Sequence, residues 1–163
     1  MIEVNERIEV PSAPRIVWSL LSDPRAVVDC VPGAALGNER EDGSFDATLT
    51  VKFGPAKVTF HARIALELDA AAMAGQVIAR GKDNLGGTRV RSTMTFKVVE
   101  RAEPPGSTIP IEARVEISGR LATLVEGGAT LVVKRMTSEF TERLAARCAA
   151  GDQAERSDAR LIP

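Results

Sequence analysis

The chain has 163 residues, 44% of them apolar and 26% charged, with a formal net charge of −1. That is the size of one domain able to fold around its own core, and the near-balanced charge supplies no overall basic field for nucleic acid. Two cysteines, Cys30 and Cys148, are too few for a disulfide framework and lack a CxxC spacing or neighbouring histidines for zinc, so both are read as reduced thiols.

Ile2, Val4, Ile8 and Val10 alternate with Glu3, Asn5, Arg7 and Glu9, which predicts a half-buried first strand with Glu6 as its one discordant position. Pro11 ends it. Ser12 is the expected cap of a short helix, Ala13 to Leu21, with Pro14 in its first turn and Ile16, Val17, Leu20 and Leu21 on its buried side. Asp23-Pro24 repeats the signal and opens a second short helix. It stops before Val31-Pro32-Gly33, because a residue preceding proline disfavours the α region.

From Ala34 the hydrophobic period changes to two. A short strand to Arg40 leads into an Asp42-Gly43 turn, after which Phe45, Ala47, Leu49, Val51 and Phe53 alternate with Asp46, Thr48, Thr50 and Lys52. Gly54-Pro55 reverses the chain. The partner strand sets Val58, Phe60, Ala62, Ile64, Leu66 and Leu68 against Lys57, Thr59, His61, Arg63 and Glu67. Gln76 to Gly81, Thr88 to Val99 and Thr108 to Ser118 bring the total to about seven strands, with turns at Asn84 to Gly87 and at Pro104-Pro105-Gly106.

Gly119 to Ala150 then reads as one amphipathic helix, more than about 40 Å long at ~1.5 Å per residue. Its apolar face turns partway. Leu121, Leu124, Val125, Gly128 and Val132 point one way, whereas Ala129, Val133, Met136, Phe140 and Leu144 point roughly 100° around from it. The turn falls at Gly127-Gly128. A helical glycine costs roughly 1 kcal/mol relative to alanine, so the pair marks either a tight backbone contact or kink, or room for a ligand. Residues 151–163 are polar and lack helical period, and are expected to form a mobile tail after a single domain at 1–150. Met1 opens directly onto a strand pattern and no apolar run reaches about 18 residues, so neither a leader nor a membrane span is expected and the cytoplasm is the expected location.

One strand, two short helices, a run of hairpin-linked strands and a long final helix is an α+β order in which a curved antiparallel sheet wraps around the C-terminal helix. This order, with the stretch PSAPRIVWSLLSDP, resembles the START-like, helix-grip (SRPBCC) superfamily. Three strings narrow the resemblance: DPRAVVDCVPG, VKFGPAKVTF and GRLATL, which in sequence are similar to the carbon monoxide dehydrogenase G-subunit family from Ile2 to about Ala149. The resemblance implies an accessory protein, not a catalytic subunit, serving a molybdenum-containing carbon monoxide dehydrogenase or related molybdenum hydroxylase. It also implies assistance at the inner membrane, by binding a quinone or other lipid or by docking the enzyme there, with no intrinsic cofactor.

The residues themselves offer little catalytic chemistry. His61 is the sole histidine and falls on the polar side of its strand, away from both cysteines; the carboxylates are dispersed, with no metal-binding set. DNLGGTR lacks the lysine and following helix of a phosphate loop and reads as a turn. What converges is apolar. Leu49, Val51, Phe60, Met94 and Phe96 from the sheet face Leu124, Gly128, Val132, Met136 and Phe140 of the helix as a candidate lining for a hydrophobic ligand, with Trp18 closing one end. Met94 and Met136 suit variable apolar shapes best. Three functions follow: a carrier of a hydrophobic molecule, an interaction module without ligand, or a polyketide-cyclase-like enzyme. The last needs polar groups inside, and Glu6, Ser92 and Arg80 are the few available.

Overall fold

The computed structural model describes residues 1–161, with side chains through residue 152. Strand β1 (Ile2–Val10) is followed by helices α1 (Pro14–Leu21) and α2 (Pro24–Cys30), then by β2 (Ala34–Glu39), β3 (Phe45–Phe53), β4 (Ala56–Asp69), β5 (Ala74–Asp83), β6 (Thr88–Lys97), β7 (Val99–Arg101) and β8 (Gly106–Gly119), and finally by α3 (Ala122–Leu161). This is the α+β arrangement expected from the order of elements, in the helix-grip form that the resemblance implies. The single strand expected at Thr88 to Val99 is divided at buried Val98, whose N–H bonds to the Met73 carbonyl at 2.8 Å. β7 nevertheless continues in the register of β6 against β8.

All pairings are antiparallel, in the order β1-β8-β6-β5-β4-β3-β2. Because side chains alternate along a strand, the register defines rows across each face. Facing the helix are Leu66, Val77, Met94, Ala113 and Val4 in one row and Ile64, Ala79, Ser92, Val115 and Ile2 in the next. The opposite parity faces away and is mostly polar.

Local signals explain the short helices, with one exchange of roles. Asp23 caps α2 by accepting a hydrogen bond from the Arg25 N–H at 3.1 Å. The expected Ser12 cap of α1 is not made: Ala13 is the N-cap, without a side-chain bond, and buried Ser12 instead offers its carbonyl to the Ser107 hydroxyl at 2.7 Å. That bond ties the end of β1 to the start of β8.

The long helix differs from expectation at both ends. Gly119 belongs to β8, with a φ of +110°. The Arg120 N–H bonds to the Gly87 carbonyl and the Leu121 N–H to the Thr88 hydroxyl, at 3.0 and 2.9 Å, so the helix starts at Ala122. At the other end it does not stop at Ala150 but runs on to Leu161. An established helix elongates without a new nucleation cost, and Gly151 and the polar residues after it allow it to continue. Residues 162 and 163 of the expected tail lie outside the described residues.

The buried core falls into two groups. One joins Ile8, Val10, Ile16, Val17, Cys30, Val98, Ile109, Leu144 and Cys148, uniting α1, α2 and the far half of α3 with β1 and β8. The other joins Phe53, Val58, Phe60 and Val125 at the near end of α3. Both cysteines are free thiols. Burial pushes the Cys148 thiol up to about 11, with Cys30 beside it adding to the shift. Its native proton is retained where the unfolded chain, near the ordinary value of 9.0, loses it. Stability is therefore intact below about pH 9.0 and falls as pH rises towards about 11. The chain has no tyrosine to titrate in that interval. Urea unfolding across it is expected to show a loss on the order of 1–2 kcal/mol, and Cys148→Ala to flatten the slope.

Candidate ligand-binding site

A ligand site between sheet and helix requires apolar side chains that face inward without being filled in by their neighbours. The helix backbone comes nearest to β1, β3 and β8 and to the two short helices, whereas the central strands β4, β5 and β6 stand further from it. The centre of the concave face is correspondingly incomplete. Ile64, Leu66, Val77, Ala79, Ser92 and Met94 are all only half-buried, although their register places them on the inner side.

The residues expected to line a site separate into three sets. Phe60 is buried at the near end of the helix, with Val51 and Val132 packed against its group. Trp18, Phe96 and Phe140 pack at the far end, where the Trp18 and Phe96 rings lie 6.1 Å apart. Leu49, Met94 and Met136 are half-buried and belong to neither group. Leu124 stands apart: it is 40% exposed and joins neither group. It shares its side of α3 with Leu131, two turns on and 64% exposed, so the apolar stripe at this end is carried by Val125 and Val132 instead.

Gly128 resolves the question posed by the glycine pair. A Cβ placed there meets the Phe53 ring at 3.1 Å, and one at Gly127 meets nothing within 4 Å. The reading of Gly128 as ligand space gives way to a close helix-to-ring contact. Gly75 acts similarly on β5, where the Phe96 ring lies over the position its side chain would take.

Polar groups on the inner side are sparse. Glu6 and Ser92 do face the helix, half-buried. Arg80 does not: its register sets it between Arg63 and Arg91 on the outer face. His61 is exposed on that outer face too, so it does not meet the buried thiols. Burial also raises the Cys30 thiol, partly offset by Arg147, which leaves neither cysteine activated as a nucleophile. Among the described residues, no group of three or more His, Cys, Asp or Glu side chains is placed to hold a metal ion.

Two features escaped the sequence reading. Asp83, 2% exposed, accepts the Thr88 N–H at 3.0 Å through Oδ1, and Thr88 in turn holds the Leu121 N–H. The apparent surface turn DNLGGTR is thus anchored at both ends and braces the β5–β6 hairpin to the start of α3. Asp83 Oδ2 has no hydrogen-bond partner among the described residues. The second feature is a trough of about 1180 Å³ on the outer face, lined by residues of β2 to β6 and β8, including Arg63, Arg80, Lys82, Arg89 and Arg91. The polar-side parity of Arg63 was visible in sequence, whereas Arg80 was expected inside, and the adjacency of all five depends on strand pairing.

The chain matches the CoxG family, described as the G subunit of carbon monoxide dehydrogenase, over residues 6–149. No curated protein sequence matches it. Among solved structures it is similar to a conserved protein from Geobacillus kaustophilus, with 20% identity, a TM-score of 0.77 and coverage of 91% of this chain and 96% of that one. It is also similar to the ZhuI aromatase/cyclase from a Streptomyces species, with 17% identity, a TM-score of 0.58 and coverage of 91% and 93%. A START superfamily protein from Mycobacterium smegmatis gives 16% identity, a TM-score of 0.55 and coverage of 91% and 97%. At such identities these likenesses establish the fold alone.

The glycine pair supplies a direct check of the helix packing. Gly127→Ala is expected to stabilise the protein by roughly 1 kcal/mol, the difference in helix propensity. Gly128→Ala should lose that gain, because its methyl must displace the Phe53 ring. Urea midpoints of the two variants, side by side, measure the contrast.

Proposed function

The chain belongs to the CoxG family of carbon monoxide dehydrogenase, and on that premise we propose that it is a non-catalytic accessory protein of a molybdenum-containing carbon monoxide dehydrogenase or related molybdenum hydroxylase. In this reading it holds a hydrophobic molecule such as a quinone between the sheet and α3 and links the enzyme to the membrane by peripheral contact. No helix among the described residues is long and apolar enough to cross a membrane.

The observation that carries the ligand reading is the half-covered centre of the grip. Apolar side chains buried at both ends of α3 hold the helix, while Leu66, Val77, Ala79 and Met94, on the inner side by register, are only half-buried. An apolar guest there removes that surface from water at about 25 cal/mol per Å². Met94 and Met136, in neither packed group, have the flexible thioethers that adjust to such a guest. Glu6 and Ser92 supply polar contacts for the oxygen atoms of a quinone-like ring.

A recruitment module without ligand and a cyclase-like enzyme make different demands. The first leaves the grip empty in the cell. The second needs a proton-transferring group inside, and two carboxylates stand on the inner side: half-buried Glu6, and buried Asp83, which lies opposite Phe60.

Native mass spectrometry of gently purified protein, followed by lipid extraction, is expected to find a hydrophobic molecule bound. Added quinone should then raise the melting temperature of delipidated protein, because binding to the native state alone adds about 2.7 kcal/mol at a hundredfold excess over Kd. Ala79→Trp, which fills the centre of the grip, should abolish the shift. An unchanged melting temperature in the wild type at every quinone concentration sinks the carrier reading.

A further inference from the structure

The outer face of the sheet carries a charge pattern that stability alone does not explain. In strand register, Arg63 on β4 lies opposite Arg80 on β5, which lies opposite Arg91 on β6. The row two residues along places His61 opposite Lys82 and Lys82 opposite Arg89. Like charges directly opposite one another destabilise a sheet. All six side chains are exposed, and their rows form the walls of the outer trough. The chain as a whole is slightly acidic, so this is a local concentration of positive charge.

The ends of the arginine row are of opposite character. Asp46 on β3 is neutralised by Arg40 at 2.8 Å, and Glu116 on β8 lies opposite Arg91. The cationic section therefore spans β4 to β6, about 10 Å at ~4.8 Å per strand, inside a trough that measures about 19 Å from β3 to β8 and continues onto β2. Arginine is suited to paired hydrogen bonds with carboxylates and phosphates.

The dimensions discriminate between polyanions. A single-stranded nucleic acid needs stacking platforms, and the trough has no aromatic lining residue other than the His61 imidazole. A continuous phosphate backbone carries its charge on past the positive section to Glu116, whereas a polypeptide can place its carboxylates only where the cations stand. An extended polypeptide fits better, since its alternate side chains turn towards opposite walls and about six residues cross the trough.

We propose that this trough docks an extended acidic segment of a partner protein, with successive Asp or Glu side chains pairing alternately with the Arg63-Arg80-Arg91 wall and the Lys82-Arg89 wall. The two faces of the sheet then have separate tasks: the inner face holds an apolar guest and the outer face holds a partner. The proposal does not depend on occupancy of the grip. Bound carboxylates also relieve the repulsion that the free protein sustains.

The test uses the full chain and a fluorescent peptide of about six glutamates, compared by anisotropy with a glutamine peptide of equal length. The glutamate peptide is expected to bind, and to weaken about tenfold or more as salt rises to the physiological range. Arg63→Glu with Arg91→Glu should abolish binding, whereas Arg135→Glu on the exposed side of α3 should leave it unchanged. Arg80→Thr provides a readout that a merely structural role does not produce: weaker peptide binding together with a higher melting temperature. Equal binding of the glutamine peptide, or unaltered binding by the trough variants, overturns the proposal. Tighter binding to oligothymidylate or to phosphatidylglycerol vesicles than to the peptide also overturns it, as does salt-sensitive self-association that excludes the peptide. The quinone response of Arg80→Thr, measured separately, keeps this result distinct from that of the inner face.

Discussion

One helix cannot cover this sheet. Seven strands side by side make a surface about 29 Å wide at ~4.8 Å per strand, against a helix diameter of roughly 10–12 Å. Two responses to that mismatch shape the molecule. The short helices α1 and α2 take up part of the deficit at one end, packing Ile16, Val17 and Cys30 beside Leu144 and Cys148. The β3–β4 hairpin takes it up at the other, bringing Phe53 and Phe60 to Gly128 and Val125. Between these anchorages the sheet centre is left incompletely covered, and the proposed carrier role gives that deficit a use.

Much of this architecture was legible because hydrophobic period and turn chemistry are local. Burial alternates along β4 from Val58 to Glu67, Asp23-Pro24 opens a helix, and Pro104-Pro105-Gly106 closes a hairpin. Errors arose where a tertiary partner decides. Ser12 was a credible cap until Ser107 claimed its carbonyl. Gly119 to Leu121 fit a helical pattern, but Gly87 and Thr88 hold the Arg120 and Leu121 N–H groups in another geometry. Leu124 fit the apolar stripe by angle, yet neither packed group of the core reaches that side of the helix start.

The candidate site shows the same division more sharply. Periodicity selected most of the inward residues, including Phe60, Phe96 and Phe140, but could not say which of them would be spent holding the helix. The outer trough was further out of reach. Arg63, Arg80 and Arg91 are separated in sequence, and Arg80 reads there as an inward group; only antiparallel pairing in this register sets the three in line on the outer face.

The sheet order also dictates a sequence of events in synthesis. From β3 to β6 each strand pairs with the one made just before it, and those hairpins are local contacts. β1 is the exception. Its partner is β8, so Ser12 at its end waits 95 residues for Ser107. During that interval β1 is an unpaired strand emerging from the ribosome, and Glu3, Arg7 and Glu9, alternating with its apolar residues, guard it against pairing with another chain. The first strand to be made is among the last to be joined, and its charges act before the fold exists.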